Sequence, residues 1–265
     1  MSAPDPRLLR DRARRVAVEA AEAVRQGRRD GIGAVATKSS ATDPVTEIDR
    51  ATESLIVARL LAEGPDDAVL GEESGARDGT SGVRWVIDPI DGTVNFVYGI
   101  AAYGVSIGAE SSGRAVAGAI VDVTSGAAYT GAEGAGSEGP DGPLAVTTQD
   151  DPSQCLIGTG FGYRPERRRA QAEALTRVLP AVRDIRRIGS AALDLCAVAG
   201  GRLDGFYELG LEPWDRAAGI VLVQEAGGVV RDLPVPSADT TMTVAAGPGL
   251  IDPLVELLTD AGALS

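Results

Sequence analysis

Apolar positions recur at helical spacing from the start of the chain. Leu9, Ala13, Val16, Ala17, Ala20 and Val24 fall on one face at a 3.6-residue period. Asp5 as N-cap and Pro6 in the first turn predict where this helix begins, and Gly27 where it ends. A second helix is predicted from a Thr46 cap to Glu63, stopped by Gly64-Pro65. The apolar runs then shorten to strand length at residues 68–70, 85–88, 105–109, 115–121 and 127–131, with a turn at Ser111-Ser112-Gly113. Residues 133–143 are rich in glycine and proline and read as a loop between two halves, 1–143 and 144–265.

Beyond that loop, strand and helix patterns alternate. Strands are predicted at 155–159, 185–187, 205–208, 229–231 and 241–246, and helices at 165–178, 190–199, 213–226 and 252–261. The first half therefore reads as α+β and the second as mixed α/β, with no internal repeat.

At 265 residues and 44% apolar composition, the chain can bury a large core. No apolar run reaches 18 residues, and the first residues lack a signal-peptide core, so the expected location is the cytoplasm. A formal charge of −13 argues against nucleic acid or an anionic membrane as partner. Cys155 and Cys196 sit in apolar stretches without metal-ligand spacing and read as reduced core thiols.

Histidine is absent. The Gly104-Val-Ser106-Ile-Gly108 match to a nucleophile elbow thus has no imidazole to activate it. Histidine-ligated zinc is excluded for the same reason. Gly134-Ala-Gly136-Ser-Glu-Gly139 imitates a dinucleotide fingerprint, yet Pro140 and Pro143 stand where its helix should begin. Lys38 is the one lysine among 25 basic residues, and no phosphate-loop glycines precede it.

Four segments carry candidate chemistry. Asp88-Pro-Ile-Asp91-Gly-Thr93 follows the apolar run Trp85-Val86-Ile87 and delivers two carboxylates into a loop. Pro89 removes a backbone donor and can leave the Ile90 carbonyl facing inward with the acids. Gly92-Thr93 can open a helix whose free N–H groups suit a phosphate. Hard oxygen ligands beside such a cradle suit Mg²⁺-dependent ester chemistry, although Asp-Pro and Asp-Gly are also common turn pairs. Trp214-Asp215-Arg216-Ala217-Ala218-Gly219 puts an acid in the first turn of a helix whose small residues permit close backbone approach. Thr46 and Asp49 have capping-box spacing. Glu72-Glu73 would ordinarily be a solvated pair at a strand end.

Taken together with Lys38-Ser39-Ser40, Asp43 to Asp49, Gly71 to Ser74 and Ile188 to Ala192, these segments resemble the inositol monophosphatase family of Mg²⁺-dependent, Li⁺-sensitive phosphatases. The matches keep the family's order from Lys38 to Gly228 and look closest to bacterial inositol-1-monophosphatases. The resemblance implies a layered α-β-α-β-α sugar-phosphatase fold of the α/β (α+β) class, and a homodimer. It also implies one metal held by Glu72, Asp88 and the Ile90 carbonyl, and a second by Asp88, Asp91 and Asp215. A weaker third would use Glu72 through water. Water is the family's nucleophile, with Thr93, oriented by Asp49, and Glu72 relaying its proton; Lys38 matches the family's active-site lysine. Gly92 and Thr93 would bind phosphate, and Asp91, Ser190, Ala191 and Glu208 the substrate alcohol.

The reaction so implied is hydrolysis of inositol 1-phosphate. Glu208 would also attract an amine, and the extra acid Glu212 adds to that, which keeps histidinol phosphate as an alternative substrate. Fructose 1,6-bisphosphate and nucleotide 3′-phosphates stand further behind. From another class, the chain could be a regulatory binding protein on the same fold, although all the expected acids are intact.

Overall fold

The computed structural model describes residues 4–32, 35–37 and 44–264. Lys38 and Asp43 lie outside the described residues. The first half comprises α1 (Pro6–Asp30), β1 (Val35–Thr37), β2 (Pro44–Thr46), α2 (Glu47–Glu63), β3 (Ala68–Gly71), β4 (Gly75–Arg77) and β5 (Val83–Asp91). It continues with α3 (Thr93–Tyr98), β6 (Gly104–Ser111), β7 (Arg114–Asp122), β8 (Ala128–Ala132), β9 (Gly136–Gly139) and β10 (Gly142–Pro143). The second half contains β11 (Leu156–Thr159), α4 (Pro165–Val178), β12 (Asp184–Arg186), α5 (Ala191–Ala199) and β13 (Gly205–Leu209). It ends with α6 (Pro213–Glu225), β14 (Val229–Val235), β15 (Thr240–Ala246) and α7 (Ile251–Asp260).

Two main sheets result. One has eight strands in the order β10-β9-β8-β7-β6-β5-β3-β4, and the other five in the order β12-β11-β13-β15-β14. Helices α1 and α2 cover the outer face of the larger sheet, and α5 and α6 fill the space between the sheets. Helices α4 and α7 pack against each other, α7 also touching β15, on the far side of the smaller sheet. This is the expected five-layer order.

Small residues bring α6 against the larger sheet. A Cβ on Gly108 would lie 2.8 Å from the Ala217 Cβ, and one on Gly118 would lie 2.7 Å from the Ala218 Cα. Gly219 faces the other way, where its Cβ would meet Leu195 of α5 at 2.4 Å. The Ala-Ala-Gly run after Trp214-Asp215 thus sets the height of α6 over β6 and β7. Gly108 closes the apparent nucleophile elbow, which in fact runs through the middle of β6 with Ser106 buried.

Two differences from the sequence reading have a clear physical cause. Helix α1 continues past Gly27 to Asp30 and is capped by Gly31. Gly27 instead marks the crossing of α2, where an added Cβ would lie 3.1 Å from Ile48 Cδ1. Residues 133–143 hold β9 and β10 rather than an unstructured loop. Gly134 and Gly136 of the false fingerprint have φ of 71° and 78°, so they serve the turn from β8 to β9. Both cysteines are buried and free, and burial pushes the Cys155 thiol up to about 12.

Candidate active site

Strand β5 turns irregular where the acids begin. Asp88 pairs with Ser106 and Asp91 with Gly104, so three steps on β5 face two on β6. In a regular strand, residues three apart point to opposite faces. The extra residue forms a bulge that brings both acids to one side. Asp88 Oδ1 accepts from the Ile90 N–H at 2.9 Å, which folds the bulge back on itself. The Ile90 carbonyl accepts from the Thr93 hydroxyl at 3.0 Å.

Three further elements converge on this bulge. The parallel pairing of Gly71 with Ile87 places Glu72 beside Asp88. The Glu72 N–H donates to the Ile87 carbonyl at 3.2 Å. From α6, Asp215 fixes one oxygen on the Glu212 N–H at 2.7 Å. Oxygens of Asp88, Asp91 and Asp215 all lie within 4.8 Å of one another. From α5, the Ser190 hydroxyl and the Ala192 N–H donate to Asp91 Oδ2 at 2.5 and 2.7 Å.

Gly92 closes the gap between β5 and α5. It adopts φ 92°, and a Cβ there would lie 3.0 Å from the Ala102 and Gly189 carbonyls. Asn95 completes the junction, its Nδ2 donating to Ala102 and Ile188 carbonyls at 2.7 and 2.9 Å. The two halves of the chain are therefore sewn together at the site.

Electrostatics favour a bound cation. Burial, followed by the nearby Glu72, Asp91 and Asp215, pushes Asp88 well above the usual carboxylate range. Asp215 is raised the same way, by burial first and then Asp91. Asp91 is raised by burial to about 6, against the pull of Ser190 and the α5 N–H groups. Several acids crowded into one desolvated point repel each other unless a cation joins them. The donors are all carboxylate or carbonyl oxygen, which suits a hard ion such as Mg²⁺. The residues present fit a metal ion.

Of the residues singled out in the sequence, Asp49, Glu72, Asp88, Ile90, Asp91, Gly92, Thr93, Ser190, Ala191 and Asp215 gather here. Glu208 on β13 lies within electrostatic range of Asp91, and burial raises it to about 7. Ser190 is 1% exposed and its hydroxyl is already committed to Asp91. Glu212 is exposed and caps α6.

Two contributors escaped the sequence reading. Glu53 of α2 is 2% exposed and accepts from the Glu73 and Ser74 N–H groups at 2.8 and 2.7 Å, which fixes the loop carrying Glu72. Its only sequence signal was an acid on the inner face of a helix, at a position where apolar residues were expected. Arg187 reaches over Gly189, where a Cβ would lie 2.5 Å from its Nη1, and draws down the pKa of Asp91, Asp194 and Glu208.

A bulged strand, a capped helix and a strand end thus present acids to one buried point that fits a cation. A family model described as "Inositol monophosphatase family" matches residues 5–252, and the chain belongs to that family. It is 49% identical over 280 residues to the inositol-1-monophosphatase SuhB of Mycobacterium tuberculosis strain H37Rv, covering 97% of this chain and 96% of that protein. The solved structure of Mycobacterium tuberculosis SuhB superposes with a TM-score of 0.84 at 48% identity, over 98% of this chain and 99% of that one. The Nus factor SuhB of Pasteurella multocida is 41% identical over 198 residues, 74% of each chain. No helix among the described residues is long and apolar enough to cross a membrane.

Proposed function

We propose that this protein is a Mg²⁺-dependent phosphatase that hydrolyses inositol 1-phosphate to inositol and phosphate, with water as nucleophile. The observation that carries this reading is the convergence of Asp88, Asp91 and Asp215 within 4.8 Å, with Glu208 in electrostatic reach of Asp91. Glu72, Asp88, the Ile90 carbonyl, Asp91 and Asp215 would hold the cations, which when bound would supply charge neutralisation at the phosphate and a lowered pKa for the attacking water. Thr93, backed by Asp49, and Glu72 take up the proton that the water loses. Lys38, which lies outside the described residues, takes the part of the family's active-site lysine in this reading. Backbone N–H groups of Gly92 and Thr93 orient the phosphate oxygens. On the alcohol side, Glu208 and the Ala191 backbone receive the ring hydroxyls, and Ser190 acts through its grip on Asp91. Homodimeric assembly, a cytoplasmic location and Li⁺ sensitivity belong to the same reading, supported by the family membership.

Histidinol phosphate is the second substrate reading, favoured by Glu208, whose negative charge an amine would stabilise. A regulatory role without turnover is the third, favoured by the similarity to proteins called Nus factors. A substrate panel at fixed Mg²⁺ separates them. We expect kcat/KM for inositol 1-phosphate to exceed that for histidinol phosphate by at least about tenfold, roughly 1.4 kcal/mol in transition-state binding. Equal or reversed preference would move the substrate assignment to the amine. Phosphate release that persists in excess chelator would remove the metal mechanism, and no release from any ester would favour the regulatory role.

A further inference from the structure

Behind Glu208 lies an acid that none of the site roles above uses. Asp194, in the first turn of α5, is 1% exposed, and its Oδ1 has no hydrogen-bond partner among the described residues. Strand β11 makes room for it. A Cβ on Gly158 would lie 2.8 Å from Asp194 Oδ1. Two residues on, just past the end of that strand, a Cβ on Gly160 would lie 2.0 Å from the Glu208 carboxylate. The parallel pairing of Thr159 with Tyr207 explains the second niche, since Gly160 then continues alongside Glu208. Two alternate glycines, roughly 7 Å apart along the chain, thus leave room for the two acids. The two carboxylates feel each other's charge, Glu208 being the first of the neighbouring acids to act on Asp194.

An ionised carboxylate sealed here without a cation in contact would cost several kcal/mol. Arg187, the nearest counter-charge, is exposed and shared with Asp91 and Glu208. Neutralisation by a proton is the cheaper solution, and burial, with Glu208 next, raises Asp194 to about 9. A neutral carboxyl offers one O–H donor and a carboxylate offers none. Next to Glu208, that donor has one natural acceptor.

We propose that Asp194 is a positioning residue for Glu208: sealed under the alcohol side of the cleft as an un-ionised acid, it donates its O–H to the Glu208 carboxylate. That contact fixes which lone pairs Glu208 turns toward a polyol hydroxyl. It rests on the reading of Glu208 as the acid that recognises the substrate alcohol.

The test compares Asp194→Asn and Asp194→Leu on inositol 1-phosphate and on p-nitrophenyl phosphate, whose alcohol carries no hydroxyls for Glu208. Asn keeps a neutral donor, so it should stay within about twofold of the wild type on both esters. Leu removes the donor while keeping the branched shape and the number of side-chain heavy atoms. It should raise KM for inositol 1-phosphate by roughly fivefold or more, with kcat for that ester and all parameters for the aryl ester within about twofold. Equal losses on both esters would mean a merely structural role and overturn the proposal. Losses in Asn matching those in Leu would mean that negative charge is required, and would overturn it too, as would an unchanged KM in Leu. Should Leu not fold, Asp194→Ala replaces it with the same expectations. Glu208→Gln separates the two levels. If it leaves KM for inositol 1-phosphate unchanged, the reading of Glu208 fails and takes this proposal with it. If it raises KM while Asp194→Leu does not, only the role of Asp194 fails.

Discussion

Asp49 turns one carboxylate oxygen to a structural partner, Thr46, and the other toward Thr93 in the site. Its Oδ2 accepts from the Thr46 N–H at 2.8 Å and so closes the capping box of α2. Its Oδ1 stands 3.4 Å from the Thr93 hydroxyl, which lies nearer the Ile90 carbonyl at 3.0 Å. The cap holds Asp49 rigidly where Thr93 can turn to it, so the two roles are compatible. Rotating the Thr93 hydroxyl from Ile90 to Asp49 frees the carbonyl for a cation and connects Thr93 to an acceptor. A threonine alone is too weak a base.

The first prediction follows from that geometry. Asp49→Asn keeps an oxygen for the cap, so stability should fall by about 1 kcal/mol or less, measured by denaturant unfolding. Its kcat should fall by about 10²-fold or more, because an amide cannot take the proton. Thr93→Ala should lose about as much, and the double variant little more, as for residues that act as one unit. Multiplicative losses in that cycle would show that no relay exists.

Glu53 supplies the second. Gln at this position keeps only one acceptor oxygen, so either the Glu73 or the Ser74 N–H loses its partner in a buried loop. The cost to stability should be about 1–3 kcal/mol. Glu72 should also lose its fixed position, raising the Mg²⁺ concentration for half-maximal activity by about tenfold or more, in line with other groups that orient metal ligands. A stability loss with an unchanged Mg²⁺ titration would confine Glu53 to the fold.

Much of this was readable in the chain because local chemistry set it. Asp5 before Pro6 and the Thr46–Asp49 box fix helix starts by short-range hydrogen bonds, and α2 ends at Glu63 as Gly64-Pro65 requires. The acids of the site lie in short segments with distinctive neighbours, so their identity was legible too. What stayed hidden depends on partners distant in sequence. Gly27 resembles a helix stop until Ile48 is seen to cross it. Strands β9 and β10, four and two residues long and glycine-rich, exist because β8 offers an edge. Glu53 and Asp194 look like ordinary helix acids, and only the burial of α2 and α5 reveals what they face.

Cation binding should depend on pH with a definite sign. Asp91 is raised to about 6, and burial also raises Asp88 and Asp215 well above the usual carboxylate range, so the cation-free site holds protons where free carboxylates do not. Ligation must expel them. The Mg²⁺ concentration for half-saturation should therefore fall as pH rises from 5.5 to 8. Calorimetry in two buffers of different ionisation enthalpy should register proton release near pH 6. Binding that is independent of pH, with no proton release, would contradict the assignment of these acids as ligands. Asp91→Asn removes one charged ligand and should cost at least about 10²-fold in kcat.

Asp194 gives the stability of the protein a pH dependence of its own. In the folded chain burial lifts it to about 9, against an ordinary value of 3.8. Between those two values the folded state binds a proton that the unfolded state releases. The slope of unfolding free energy with pH follows protons bound in the unfolded state minus those in the folded state, and here that difference is negative. The stabilisation is fully present below about pH 4 and drains away as pH rises toward 9. Asp194→Asn is neutral at every pH in both states, so it lacks this slope. Melting curves should be collected from pH 5 to 9 for both proteins in a chelator, which keeps the neighbouring acids free of cations. The variant should gain on the wild type as pH rises, the gap widening by more than about 1 kcal/mol between pH 5 and 8. A gap that stays constant across the range would mean that Asp194 titrates alike in both states, and its seat behind Glu208 would then have to be solvated.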